Sequence, residues 1–342
     1  MSKPALSVLI DTYNHERYIE QAIVSAIEQD FPSADYEILV VDDGSTDRTP
    51  EIVRKFAPRV RLLRKKNGGQ ASAFNAAFPE LSGEVVALLD GDDWFAQGKL
   101  TAVIRALDQH PEAAAAAHGY YEVNERTNEI KALSPGRERL LSLATRDAAL
   151  DAMYGWRFLV VGSLTVRRTL LRAIIPVPDV LRFCADGPIA WASMAMGVFL
   201  FDEPLCYYRQ HGTNLHAVSP ENAERMRRKS EMDHLMFEQI EPLLTRLGVP
   251  KESMLAAFYP SWIAHNRSSL RAFGGTRLRT FHTEMRDFRV RYTAPSLGYR
   301  LFKYVAVGAA TMMIPPPLFY RAREWYGRKN LGRLREIFVR SR

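Results

Sequence analysis

The chain has 342 residues, 47% of them hydrophobic and 25% charged, which excludes a disordered or fibrous protein and leaves one large domain, or one domain with a substantial extension. Its two cysteines, Cys184 and Cys206, are too few and too far apart for a disulfide framework, no C-x-x-C supports structural zinc, and the first residues lack the shape of a secretory signal, so a reducing cytoplasm suits it. The net charge of +7 is uneven: residues 221–342 hold 23 Lys and Arg against 11 Asp and Glu, and residues 1–220 hold 23 against 28, so an acidic front fit for metal precedes a basic tail fit for phosphate, anionic lipid or nucleic acid.

Ala5–Ile10 is an apolar run that stops at Asp11-Thr12-Tyr13-Asn14, a buried strand entering a polar loop. Tyr18–Gln29 repeats apolar residues at helical spacing. Tyr36–Val41 predicts a second strand, closed by Asp42-Asp43-Gly44-Ser45, and Thr49–Phe56 a helix. Val60–Leu63 predicts a third strand, Asn67-Gly68-Gly69 a turn, Ala71–Ala77 a helix, and Glu84–Leu89 a fourth strand ending at Asp90-Gly91-Asp92-Asp93. Beyond Lys99 the expectations are a helix over 100–109 and strands over 113–121, 159–166 and 198–208. From Glu221 the chain reads as basic helices, broken at Gly274-Gly275 and Pro315-Pro316-Pro317. Near-continuous apolar strands alternating with helices predict an α/β fold, a mostly parallel sheet flanked by helices with a helical C-terminal extension. Ligands of such sheets bind beyond the carboxyl ends of the strands, where Asp11, Asp42, Asp43, Asp90, Asp92 and Asp93 all fall.

Asp90, Asp92 and Asp93 place three carboxylates within four residues. Mg²⁺ and Mn²⁺ prefer carboxylate oxygen and leave room for substrate phosphates, whereas a helix cap needs only one Asp. Like charges this dense are costly without a cation. After the second strand, Asp42 or Asp43 can accept from a base N–H or a ribose hydroxyl; a plain turn capped by Asp47 or Thr49 is the alternative.

Four segments, Ser7–Asn14, Ile38–Asp47, Asn67–Asn75 and Leu89–Trp94, together resemble the family 2 glycosyltransferases with the Rossmann-like GT-A fold. The resemblance covers residues 5–100, continues more weakly to about 216, and implies a nucleotide-sugar donor and an inverting mechanism. On it, Thr12, Tyr13 and Asn14 line the nucleotide pocket, Asp42 or Asp43 holds the base edge, and Asn67 and Gly69 lie beside the nucleotide. Asp90 and Gly91 face the ribose or donor sugar, and Asp92 and Asp93 hold Mn²⁺ or Mg²⁺. Asp11 stands where the family often has Pro, a departure expected to loosen the loop. The family's base matches Asp186 in Phe183–Trp191, although Ala185 replaces the usual preceding acid; a helix N-cap is the alternative. Arg209 and His211 match residues that approach the diphosphate or metal, against a carboxylate partner for Arg209 and a plain loop histidine for His211. Trp94, Trp156 and Trp191 fit a core role better than sugar stacking.

The expected organisation is a catalytic domain over 1–216 and a basic, mostly helical region over 217–342. The uncharged stretch Tyr304–Tyr320 is too short, with its prolines, for a full span. Flanking Arg300, Lys303, Arg321, Arg323, Arg328 and Lys329, with Trp325 and Tyr326, fit an element lying on an anionic membrane; a buried helix or homodimer contact competes. The expected partners are a nucleoside-diphosphate sugar, UDP first, and a carbohydrate or glycolipid acceptor in cell-surface polysaccharide or glycolipid assembly, with no nucleic acid. The expected place is the cytoplasm or the inner face of the membrane. A non-catalytic nucleotide-sugar-binding scaffold is the rival reading. A dehalogenase-like phosphatase is disfavoured because Trp94 stands where that chemistry needs Thr, and a nucleotidyltransferase because residues 11–18 lack a glycine-rich basic loop.

Overall fold

The computed structural model describes residues 5–211, 223–291 and 297–323. The expected boundary at 216, Gly212-Thr213-Asn214 and the flanking Trp325, Tyr326, Arg328 and Lys329 lie outside the described residues.

One sheet of ten strands carries the molecule's acidic front. The strands are β1 (Leu6–Thr12), β2 (Tyr36–Asp42), β3 (Val60–Arg64), β4 (Val85–Asp90), β5 (Trp94–Phe95), β6 (Ala115–Asn124), β7 (Glu129–Leu133), β8 (Arg139–Leu141), β9 (Thr165–Arg167) and β10 (Val198–Gln210). Their order is β3-β2-β1-β4-β9-β6-β10-β5, with β7 on β6 and β8 on β10. The first four run parallel, as continuous burial demands: every residue of β4 except its terminal Asp90 is buried. β9 then pairs antiparallel with both β4 and β6, and β6 and β10 run parallel, so the sheet is mixed with its longest pairings parallel.

Helices α1 (Ile19–Ile27), α2 (Thr49–Arg54), α3 (Gln70–Ala77), α4 (Lys99–Gln109), α5 (Arg146–Gly155), α6 (Arg168–Ile174) and α7 (Asp186–Met196) flank the sheet. In α1 the buried residues Ile19, Ala22, Ile23 and Ala26 form the stripe that the helical spacing predicts.

The expected strand over 159–166 is a correction. Trp156–Phe158 and Val161–Ser163 are short 3-10 turns, and only Thr165–Arg167 pairs. Leu159, Val161, Leu164 and Val166 are all buried, so the apolar run reflects packing rather than a ladder. Ser163 Oγ donates to the carbonyls of Phe158 and Val160, holding the turn closed. Asp11, expected in the loop after the first strand, lies within β1, in register with Asp90 of β4.

The chain divides into two compact units, residues 1–221 with 235–256, and residues 222–234 with 257–342. Helix α8 (Ala223–Arg246) contributes to both, and the one-turn α9 (Lys251–Ser253) belongs to the first. The second unit holds α10 (Tyr259–Phe273), α11 (Arg277–Arg291), α12 (Leu297–Met313) and a helical segment over 316–323. Leu270, Phe319 and Tyr320 form its apolar core, with Val307, Ala310 and Ile314 packed against them. Beside that core Arg267 makes a two-pronged pair with Glu284, 2.9 Å at each contact. Among the described residues, no helix is long and apolar enough to cross a membrane.

Candidate active site

The carboxyl ends of β1, β2 and β4 open into a cavity of about 900 Å³. Ten of the expected site residues line it: Thr12, Tyr13, Asn14, Asp43, Asn67, Gly69, Asp90, Asp92, Asp93 and Asp186. Asp42, Gly91, Arg209 and His211 are not among its lining residues.

The pair Asp42 and Asp43 at the end of β2 splits by strand alternation. Asp42 is fully buried and turned toward the protein, where it accepts from Ser45 N at 2.9 Å and Arg64 Nε at 3.1 Å. Asp43 faces the cavity and organises its wall. Its carboxylate accepts from Gly68 N at 2.9 Å, Gly69 N at 2.7 Å and Lys65 Nζ at 2.7 Å, so the 65–69 loop closes around one anion. Asn14 (φ 55°) ties the neighbouring loop down, its N–H donating to Ser45 Oγ and its Oδ1 accepting from Thr46 N, both at 2.8 Å. Tyr13 is thereby left 44% exposed beside the cavity. Asp47 accepts from Thr49 N at 3.0 Å just ahead of α2, whose N-cap position is Arg48.

The acidic cluster needs glycine at its second place. A methyl on Gly91 would lie 2.6 Å from Thr12 Oγ1 and 2.8 Å from His15 Nδ1. Asp90, Asp92 and Asp93 each offer an oxygen within 4.8 Å of the others. Opposite ligands of a hexacoordinate cation with bonds of about 2.1 Å stand ~4.2 Å apart, so a hard divalent ion fits this donor set after a small adjustment. The electrostatics agree. Burial raises the Asp90 carboxyl well above its usual range, and the charges of Asp11, Asp92, Asp93 and Asp186 add to it. Burial and the charge of Asp92 likewise raise Asp93, against the pull of Arg209. Burial also pushes Asp92 upward, but its hydrogen bond with His211 and the charges of His15 and His211 outweigh it and hold Asp92 below the ordinary value. A cation would relieve this crowding of like charge.

His211 Nε2 lies 3.0 Å from Asp92 Oδ2, and Tyr18 packs on its ring at 4.8 Å. Arg209 braces the cluster from behind. Its N–H donates to Asp93 Oδ1 and its Nε to the Asp92 carbonyl, both at 2.8 Å, while its guanidinium lies over Trp94 and Tyr18. Trp94 stacks on Tyr207, and Trp156 packs at a tilt against the buried Trp191; none of the three expected core tryptophans is among the cavity's lining residues.

Asp186 opens α7, two residues after Cys184, which lies in the left-handed region at φ 63°, with Ala185 between them. It faces the cavity across from the acidic cluster and is close enough for its charge to raise Asp90. The neighbouring wall is Tyr120, Tyr208, Val160, Val161 and Phe183. Burial raises the Tyr208 phenol and the cluster's carboxylates add to it, so Tyr208 stands there as a neutral donor. The reading from sequence missed Gln70, His15, Arg182 and the part of Asp11 in the cavity. His15 lies three residues past Thr12 in a segment already marked as site, Asp11 is one of the strand-end acids, and Gln70 falls within the Asn67–Asn75 segment, so each carried a positional signal; Arg182 carried none.

A GT-A sheet with an acidic cavity at its strand ends is the scaffold of a glycosyltransferase. Residues 7–174 match the profile of Glycosyl transferase family 2. An uncharacterized glycosyltransferase of Nostoc sp. is 32% identical over 251 residues, which is 71% of this chain and 76% of that protein. TarS of Staphylococcus aureus, a poly(ribitol-phosphate) beta-N-acetylglucosaminyltransferase, is 37% identical over 108 residues, 30% of this chain but 19% of TarS. The crystal structure of S. aureus TarS 1–349 in complex with UDP-GlcNAc shares the fold, with a TM-score of 0.53 at 21% identity over 90% of each chain. The chain belongs to glycosyl transferase family 2 and is a glycosyltransferase.

Proposed function

We propose that the enzyme transfers a sugar, with inversion, from a nucleoside-diphosphate donor, UDP first, to an acceptor hydroxyl. The catalytic part is residues 1–216, and residues 217–342 serve surface or dimer contacts. The observation that carries the reading is the meeting, in one cavity, of the clustered Asp90, Asp92 and Asp93 with Asp43, Thr12 and Asp186. Asp92 and Asp93 hold Mn²⁺ or Mg²⁺, with His211 and Arg209 behind them. Such an ion, when bound, draws electron density toward the departing diphosphate. Thr12, Tyr13, Asn14 and the 67–69 loop fastened by Asp43 bind the nucleotide, while Asp90 and Gly91 face the ribose or donor sugar. Asp186 takes the proton of the attacking hydroxyl as the new glycosidic C–O bond forms and the sugar–phosphate bond breaks. The test is donor hydrolysis: Mn²⁺ should support release of UDP, GDP or dTDP from one of the corresponding sugar nucleotides, and Asp186→Asn should suppress that release. A chain that binds a sugar nucleotide and never cleaves it would instead be the scaffold.

The acceptor is placed among carbohydrates or glycolipids of cell-surface assembly, and the enzyme on the inner face of the membrane. Support comes from α12. Leu301, Val305, Met312 and Met313 are 46–75% exposed, as are Leu278 at 55% and Leu318 at 55%. A methyl on Gly274, four residues before the exposed Leu278, would lie 3.8 Å from Pro317, the neighbour of the exposed Leu318. An apolar stripe beside Arg277 and Arg321 suits the surface of an anionic bilayer.

A further inference from the structure

Gln70, the first residue of α3, touches three distant parts of the chain with one side chain. Its Nε2 reaches Asp11 Oδ2 at 3.4 Å and Asp90 Oδ1 at 3.3 Å, and its Oε1 accepts from Ala185 N at 3.0 Å. The partners sit on β1, on β4 and immediately before the residue proposed as base. Chemistry fixes the orientation of the amide. Ala185 N–H can only donate, so the oxygen must face it; the NH₂ group then falls against two carboxylates that can use it. The reversed amide would set an oxygen against two acids and leave Ala185 N–H without an acceptor.

The backbone repeats the link. Gln70 N donates to Arg182 O at 2.8 Å, Ala71 N to Leu181 O at 3.3 Å, and Arg182 Nη2 to Asn67 Oδ1 at 2.7 Å. The segment that enters α7 is thus fastened to the loop that carries Asn67 and Gly69. Between them Cys184 holds a left-handed backbone that a side chain disfavours, a conformation that persists where its surroundings determine it.

We infer that Gln70 is a positioning residue that holds the Asp186 end of α7 at a set place against Asp11 and Asp90. The inference rests on the assignment of Asp186 as base. Gln70 itself transfers no proton. It sets where the base carboxylate stands relative to the donor-side acids, and a displacement of that kind costs rate more than affinity.

The test is a double-mutant cycle on the full chain, with Mn²⁺ and whichever of UDP-glucose, UDP-GlcNAc, GDP-mannose and dTDP-glucose the wild type hydrolyses fastest. Gln70→Ala should lower kcat by about 10- to 100-fold. Its affinity for the matching nucleoside diphosphate with Mn²⁺ should stay within about threefold, which also reports that it folds. Gln70→Glu, which can accept from Ala185 but gives the two acids no N–H, should fall to the same level. In an Asp186→Asn background the Gln70→Ala change should cost less than about twofold, because the group it positions is gone. An unchanged kcat in Gln70→Ala, an equal loss in both backgrounds, or a loss of affinity as large as the loss of rate would overturn the inference. An Asp186→Asn enzyme with wild-type kcat would overturn the base assignment itself.

Discussion

Asp11 and Asp90 are register partners on adjacent parallel strands, two carboxyls side by side at the floor of the cavity under one glutamine amide. Burial pushes the Asp11 carboxyl up to about 7, although hydrogen bonds from Asp90 and Gln70 act against it.

A pH dependence follows. The unfolded chain loses this proton near 4, whereas the folded chain keeps it to about 7. Between those values the folded state binds more protons, so this group's contribution to stability falls as pH rises and is flat above about 7. Asp11→Asn cannot ionise and lacks that penalty. Its melting temperature relative to wild type, measured in EDTA, should therefore increase from pH 5 to pH 8. A difference that stays constant across that range contradicts the assignment.

Gly69 stands at φ 90°, and a methyl there would lie 2.5 Å from Arg182 Cα and 2.6 Å from the Arg182 carbonyl oxygen. Gly69→Ala therefore meets backbone rather than a flexible side-chain tip. It should cost about 1–3 kcal/mol of stability, read as a lower denaturation midpoint in urea. It should also weaken UDP binding, because the 65–69 loop that closes on Asp43 must shift. Wild-type stability would show that the 181–185 segment yields freely.

Much of the front of this fold is legible in its residues because β1, β2 and β4 are buried on both faces and read as unbroken apolar runs. The same signal misleads over 159–166, where burial is satisfied by turns. Strand β7 leaves no apolar alternation to read, since four of its five residues are exposed. The acidic cluster is visible because its members are neighbours in sequence. The joining role of Gln70 is not legible, although the residue falls in the Asn67–Asn75 segment, because its partners lie 20, 59 and 115 positions away. The choice between Asp42 and Asp43 needed the register of β2 and the course of the 65–69 loop, which composition does not encode.

The apolar face of α12 gives a prediction about place. Wild type should float with liposomes containing phosphatidylglycerol and remain behind with phosphatidylcholine alone. Val305→Asp with Met313→Asp, both at exposed positions (60% and 75%), should abolish flotation and leave donor hydrolysis intact. Equal partitioning of variant and wild type would remove the membrane from the account.

Calorimetric titration of UDP, GDP and dTDP with and without Mn²⁺ tests most directly whether a divalent cation at Asp92 and Asp93 joins the protein to a diphosphate. The prediction is that one nucleotide binds at least about tenfold more tightly with Mn²⁺, a difference near 1.4 kcal/mol. Asp92→Ala should lose that gain and retain the weaker metal-free binding. Affinity indifferent to Mn²⁺ in wild type, or an Asp92→Ala protein with the full metal-dependent gain, would contradict it.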